Sequence, residues 1–108
     1  NKIEGDLKSG QSVVVIEDLI STGKSSLQVV DALRDAGCSV KGMAAIFTYN
    51  LEVAKQAFET KDVLLNTITD YHTLIDLAAE ESFISQEDLI SLTKWRENPE
   101  LWSEQRMK

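Results

Sequence analysis

Two adjacent carboxylates, Glu17 and Asp18, are followed at once by Leu19, Ile20, Ser21, Thr22, Gly23, Lys24 and Ser25. The last five offer hydroxyls, a glycine that lets backbone approach a ligand closely, and the unpaired amides of a starting helix, which together favour a dianionic phosphate. Vicinal hydroxyls of a sugar would donate hydrogen bonds to the two acids. The chemistry that suits this string is therefore the holding of a phosphorylated ribose. Its ending, Gly-Lys-Ser, also suggests a nucleotide-binding P-loop, but that loop needs a glycine five positions before Gly23. The position is Asp18, whose carboxylate would face the very phosphates such a loop wraps, so a Walker-type site is rejected. Taken singly, the same residues have plain structural uses: acids that end a strand, Thr22 as a helix cap, Lys24 as a solvated first-turn residue. What favours the ligand site is the joint pattern of four apolar residues, two acids, two apolar residues and STGKS.

The elements around this string must place it. Val13 to Ile16, short, apolar and rich in β-branched residues, predicts a strand buried on both faces. Lys24 to Ala36 predicts an amphipathic helix through Leu27, Val30, Leu33 and Ala36, with Gly37 as its left-handed stop. Val40 to Phe47, interrupted by Lys41 and Gly42, reads as a second strand. Asn50 is placed to cap a helix to about Thr60 with Val53, Ala54, Ala57 and Phe58 on one face, and Asp62 to Ile68 as a third strand. Such alternation implies an α/β fold with a parallel sheet and right-handed crossovers. Ligands of such sheets bind outside the carboxyl ends of the strands, where Glu17 to Ser25 fall. Asp70 then caps a helix over Tyr71 to Glu81 with Leu74, Leu77 and Ala78 inward. Ser85 to Asp88 has the layout of a capping box opening a last helix through Trp95, which Pro99 ends. The tail LWSEQRMK is expected to be loosely held, with Trp102 as its one docking candidate. The expected organisation is an incoming linker (1–12), a strand–helix core (13–69) and C-terminal helices with a tail (70–108).

The chain has 108 residues, 43% hydrophobic and 27% charged, with one proline and a net charge of −7. That is an ordered globular composition, and one that repels nucleic acid in the absence of a basic stripe. Neither a secretory signal nor an apolar run of membrane-spanning length is present, so a cytoplasmic location is expected. The single cysteine, Cys38, reads as a small buried residue between helix and strand. His72 reads as a surface or cap-proximal residue and Glu80-Glu81 as a solvated helix end. Tyr49 is balanced between substrate contact and packing. Trp95 and Trp102 are balanced between a dimer contact and core cover. Three strands make a small sheet whose most apolar member lies at or near an edge, and the chain starts with Asn. The expectation is a C-terminal portion of a longer protein, or a surface covered by a partner chain.

VVVIEDLISTGKS resembles the thirteen-residue phosphoribosyl-pyrophosphate motif of the type I phosphoribosyltransferases. With Glu-Asp and ISTGKS it is similar to their orotate phosphoribosyltransferase branch, and MAAIFTYNLEVAKQAF, ITDYHTLIDLAAEE and KWRENPELW extend the similarity over nearly the whole chain. The resemblance implies a parallel-sheet type I phosphoribosyltransferase-like core, truncated at the N-terminus, with a helical C-terminal end. Carried over by position, Glu17 and Asp18 meet the ribose hydroxyls and Leu19 to Ser25 the 5-phosphate, chiefly through Ser21, Thr22, Gly23, Lys24 and Ser25. Ser21 also matches the position that touches orotate. In some members an arginine after the next strand grips the orotate carboxylate; Phe47-Thr48-Tyr49-Asn50 has none. The implied reaction moves phosphoribosyl from phosphoribosyl pyrophosphate to orotate in pyrimidine synthesis. Mg²⁺ is carried on the substrate rather than by protein ligands, and the full-length protein is expected to be a homodimer. The family's mobile basic loop precedes the motif, where this sequence has only NKIEGDLKSGQ, Lys2 being the one candidate remnant. No catalytic residue is therefore assigned within the 108, which are expected to bind sugar phosphate weakly and to turn over slowly or not at all. The alternatives are a purine phosphoribosyltransferase with the same ribose site, and a regulator that senses phosphoribosyl pyrophosphate, against which the net charge counts.

Overall fold

The computed structural model describes residues 6–106. Strand β1 begins at Ser12, carries the β-branched Val13 to Ile16, which suit extended backbone, and runs to Ile20, past the expected end at Ile16. The extension follows from its partner: in β2 (Ser39–Thr48), Ala45 pairs with Glu17, Phe47 with Leu19 and Thr48 with Ile20. The two acids thus lie inside the strand and not beyond it. Helix α1 (Lys24–Asp35) connects β1 to β2, and α2 (Glu52–Thr60) connects β2 to β3 (Leu65–Asp70). All pairings are parallel and the order is β1-β2-β3, with β1 at an edge as its neighbourless reading expects.

α1 and α2 cover one face of the sheet. Val15, Met43 and Ala45 pack there against Leu27, Val30, Ala54 and Phe58. Where the register shifts between Val13 and Val14, Lys41 is the extra residue of a bulge. That bulge returns Val40 to the covered face, where it packs on the core. Among the described residues no helix covers the opposite face. Val14, Ile16, Ile46 and Ile68 stand on it 57%, 74%, 55% and 82% exposed. The expectation of a strand buried on both faces is met on one only, because neither crossover helix passes over the other side.

α1 stops as its sequence predicts. Gly37 takes φ 88°, its N–H donates to the Arg34 carbonyl, and the Cys38 N–H reaches back to Leu33 at 3.0 Å. α2 stops the same way with Asp62 at φ 55°, and Val63 N–H bonds Phe58 O. This turn consumes residues 62–64, which is why β3 begins at Leu65. Arg34 fastens the two helix ends, its Nη1 and Nη2 donating to the carbonyls of Lys61 (2.6 Å) and Asp62 (3.1 Å) at the negative end of α2.

Past the sheet, α3 (Tyr71–Glu80) is capped by Asp70, whose carboxylate accepts from Thr73 N–H at 2.9 Å. It buries Tyr71 and Ile75; Leu74 and Leu77, expected inward, are 53% and 52% exposed. The inward row is the i, i+4 pair that meets the next helix, α4 (Gln86–Glu97), which opens on the expected capping box of Ser85 and Asp88. Pro99 does end α4, but it also begins α5 (Pro99–Arg106), so the tail is helical rather than loose. Asn98 Oδ1 accepts from Leu101 N–H and Trp102 Nε1 donates to Ser91 Oγ, docking α5 on α4. The molecule measures 51 × 31 × 22 Å with a radius of gyration of 17.0 Å. A compact chain of about 100 residues has about 13 Å. Among the described residues no helix is long and apolar enough to cross a membrane.

Candidate functional site

β1 delivers the chain to the carboxyl end of the sheet. There Ile20, 1% exposed, anchors the turn, and its carbonyl accepts from Tyr49 N–H at 3.1 Å. Ser21 and Thr22 then stand exposed and Gly23 turns left-handed at φ 82°. The first bond of α1 is Leu27 N–H to Gly23 O at 2.9 Å, so the amides of Ser25 and Ser26 come before any intrahelical acceptor. No side chain caps this end; Thr22 Oγ1 comes within 3.4 Å of Lys24 N without occupying the cap. Open amides, a positive helix end, two hydroxyls and the exposed Lys24 are what an oxyanion needs.

Gly23 is required by its neighbour as well as by its backbone angle. A Cβ there would lie 2.5 Å from Phe58 Cε1, so the ring of α2 occupies the space a side chain would take. The glycine closes the loop onto the core while leaving its outer side free.

Glu17 and Asp18, being consecutive in a strand, point to opposite faces. Glu17 is half-buried on the helix-covered face beside Val15; Asp18 is exposed on the open face beside Ile16. Neither makes an ion pair or side-chain hydrogen bond among the described residues. Among those residues no three His, Cys, Asp or Glu side chains converge on a point that could hold a metal.

Behind the loop, β2 leads into Tyr49 and Asn50. Tyr49 meets Phe47 (centroids 5.1 Å) and Trp95 (5.7 Å) edge-on and Tyr71 (5.9 Å) at a tilt, and Tyr71 meets Trp95 at a tilt at 5.3 Å. This cluster fastens α3 and α4 to the sheet. Burial, then the neighbouring Tyr49, raises the Tyr71 pKa above 10.0, and its hydroxyl donates to Leu92 O at 3.1 Å. Asn50 sits at φ 58° and does not cap α2, whose first flanking residue is Leu51. Its Oδ1 accepts from His72 N–H at 3.3 Å and its carbonyl accepts from Arg96 Nη1 at 2.6 Å. His72 itself is exposed, as read.

A cavity of about 630 Å³ opens between Ser21 and Thr22 on one side and Trp95, Arg96 and Pro99 on the other, with Tyr49 on its wall. A second, of about 510 Å³, lies between α2 and β3 and shares Arg96. Tyr49 therefore serves in packing and in the cavity wall at once. Arg96 and Phe58 were not legible as site residues: the Arg96–Asn50 bond spans 46 positions, and no local pattern encodes it.

No family model matches the chain. It is 57% identical over 101 residues to the orotate phosphoribosyltransferase of Bacillus caldolyticus, covering 94% of this chain and 49% of that protein. With the Listeria innocua enzyme it shares 51% over 102 residues, again 94% and 49%. The chain thus spans about half the length of these relatives. Among solved structures, Leishmania donovani UMP synthase superposes with a TM-score of 0.70 at 25% identity, over 85% of this chain and 20% of that one. The Mycobacterium tuberculosis orotate phosphoribosyltransferase in complex with phosphoribosyl pyrophosphate gives 0.55 at 32%, over 63% and 41%. Sequence and fold together make the chain a homologue of the C-terminal half of the orotate phosphoribosyltransferases.

Proposed function

We propose that this chain holds phosphoribosyl pyrophosphate for transfer of its phosphoribosyl group to orotate, giving orotidine monophosphate and pyrophosphate in pyrimidine synthesis. The observation that carries the reading is the loop Ser21–Gly23, closed onto Phe58 and opening the α1 amides outward. In this reading the 5-phosphate sits on the amides and hydroxyls of Ser21 to Ser25, with Leu19 and Ile20 setting the loop's path. Asp18, exposed, is the main acceptor for the ribose hydroxyls, and Glu17, half-buried, the second. Ser21, on the cavity wall, reaches the orotate side.

Cleavage at the ribose carbon develops oxocarbenium-like positive charge, which fixed carboxylates nearby favour. Glu17 and Asp18 position the sugar and need move no proton. Magnesium, carried with phosphoribosyl pyrophosphate, would supply positive charge to the leaving group; among the described residues no set of side chains converges to hold it. The same reading places the protein in the cytoplasm as a homodimer, acting on small molecules and not on nucleic acid or membrane.

Calorimetry of the chain with phosphoribosyl pyrophosphate and Mg²⁺ tests the site. Saturable binding is expected, weakened by about tenfold in Asp18→Asn, the worth of a charged hydrogen bond. A chain that binds nothing, or a folded Asp18→Asn that binds unchanged, would sink the reading. Activity is tested in a chimera that joins this chain to the N-terminal half of the Bacillus caldolyticus enzyme. Orotate-dependent release of pyrophosphate is expected there, and adenine should not replace orotate.

A further inference from the structure

The turn that opens α1 has little of its own to hold it. No side chain caps the helix, and Ser21 and Thr22 stand exposed. Glycine enters either hand with similar ease, so the φ of 82° at Gly23 is not imposed by Gly23 itself. The constraint comes from α2. Phe58 is 4% exposed, and its Cε1 and Cδ1 lie 2.5 Å and 3.3 Å from where a Cβ added at Gly23 would stand. The place of that ring is fixed twice over. Its backbone carbonyl accepts from Val63 N–H at 2.9 Å in the turn that ends α2. Arg34 and the 2.9 Å ion pair of Lys61 with Asp31 tie the same turn to the far half of α1. α1 is thus attached to α2 by a ring at its start and by polar bonds towards its finish.

We propose that Phe58 is a positioning residue for the phosphate loop: it meets no ligand, yet it holds Gly23 in its left-handed turn and so sets the loop's affinity. This rests on the phosphoribosyl reading of the loop and deepens it. Two features separate Phe58 from the rest of the core. First, Gly23 joins the exposed Ser21 and Thr22 to the open amides of Ser25 and Ser26, its own carbonyl taking the first bond of α1 from Leu27 N–H at 2.9 Å. A change of hand at Gly23 would re-aim the two hydroxyl residues relative to those amides, and one anion could no longer use both. Second, the ring is not packed on every side, for it also lines the 510 Å³ cavity between α2 and β3. A shorter side chain at 58 would join that cavity to the space behind Gly23, and nothing would then oppose relaxation of the loop into it. A loop ordered beforehand binds more tightly, because the ligand need not supply the ordering.

The test measures ribose 5-phosphate affinity of the 108-residue chain by calorimetry, and the hand of Gly23 by NMR through its amide–Hα couplings. Phe58→Ala is expected to weaken ribose 5-phosphate about tenfold and to average the Gly23 couplings. Met43→Ala shortens another side chain of the same core, 1% exposed and not among the atoms that face Gly23. It should lower stability comparably while leaving affinity within about twofold and the couplings unchanged. Phe58→Leu, which keeps apolar bulk behind the loop, should recover most of the affinity that Phe58→Ala loses. Gly23→Ala sets a Cβ against the ring, and adding Phe58→Leu to it should return about threefold in affinity where a general loosening would lose more. This double variant decides if Phe58→Ala does not fold. Parental affinity in a folded Phe58→Ala, an equal loss in Met43→Ala, or further loss in the double variant overturns the proposal and leaves the loop reading intact. A parent chain that binds no ribose 5-phosphate overturns the loop reading itself, and positioning for that ligand with it.

Discussion

Two demands meet at Gly23. Its φ of 82° lies where an L side chain costs about 1–2 kcal/mol, and its missing Cβ is the space Phe58 fills. Gly10 has a similar φ of 88° with nothing within 4 Å, so the two glycines separate the effects. Gly23→Ala is expected to lose roughly 2–4 kcal/mol of stability, strain and overpacking together, and to weaken sugar-phosphate binding. Gly10→Ala should lose about 1 kcal/mol and leave binding alone. Denaturant titration and calorimetry of both decide, and equal losses would mean that Phe58 yields freely. The loop and helix start at Ser21 to Ser25 were legible because hydroxyls, glycine and the first helical residues are contiguous. What holds the loop was not: Phe58 reaches it from α2, through a contact that only the folded chain brings together. The acids were legible as acids but not as strand residues, since their place is set by the length of β2.

Helix stops encoded by glycine are readable, as at Gly37, whereas the stop at Asp62 carries no glycine and its position suits the start of a strand equally well. Pro99 shows the same limit. A proline that ends one helix is equally suited to the first position of the next, and Asn98 before it supplies the cap. α4 itself buries no residue fully. Its attachment depends on the aromatic cluster, the Tyr71–Leu92 bond and Arg96. Removing the capping box by Ser85→Ala should therefore cost about 1 kcal/mol, visible as a lower melting temperature and earlier amide exchange in α4. Alkaline pH offers a second probe. Tyr71 has a folded pKa raised above 10.0, chiefly by burial, so the unfolded chain loses this proton first. The stabilisation is complete below pH 10 and is lost as pH rises through the folded value. Stability of the parent chain should fall over that window, and Tyr71→Phe should flatten the fall while lowering neutral-pH stability by about 1 kcal/mol through the lost hydrogen bond. Parallel curves for the two proteins would show that Tyr71 is not the group responsible.

At the scale of the molecule, the sequence anticipated an edge position for its most apolar strand but not which face would be left bare. Periodicity in β1 cannot tell a strand covered on both sides from one awaiting cover. The stripe of Val14, Ile16, Ile46 and Ile68 and the 17.0 Å radius of gyration describe one arrangement: a sheet with helices on one side and a helical arm beyond it. That bare face has a thermodynamic signature. The heat capacity of unfolding comes from apolar surface newly wetted, and side chains already in water add nothing to it. A chain of this length ordinarily gives about 1.2–1.5 kcal/mol/K. This one should fall clearly below that, with a correspondingly shallow denaturant slope. In the chimera, an increment larger than its added residues alone account for would show that the N-terminal half covers the face. Scanning calorimetry of the two would register, as heat, the water that Ile16 and Ile68 now hold.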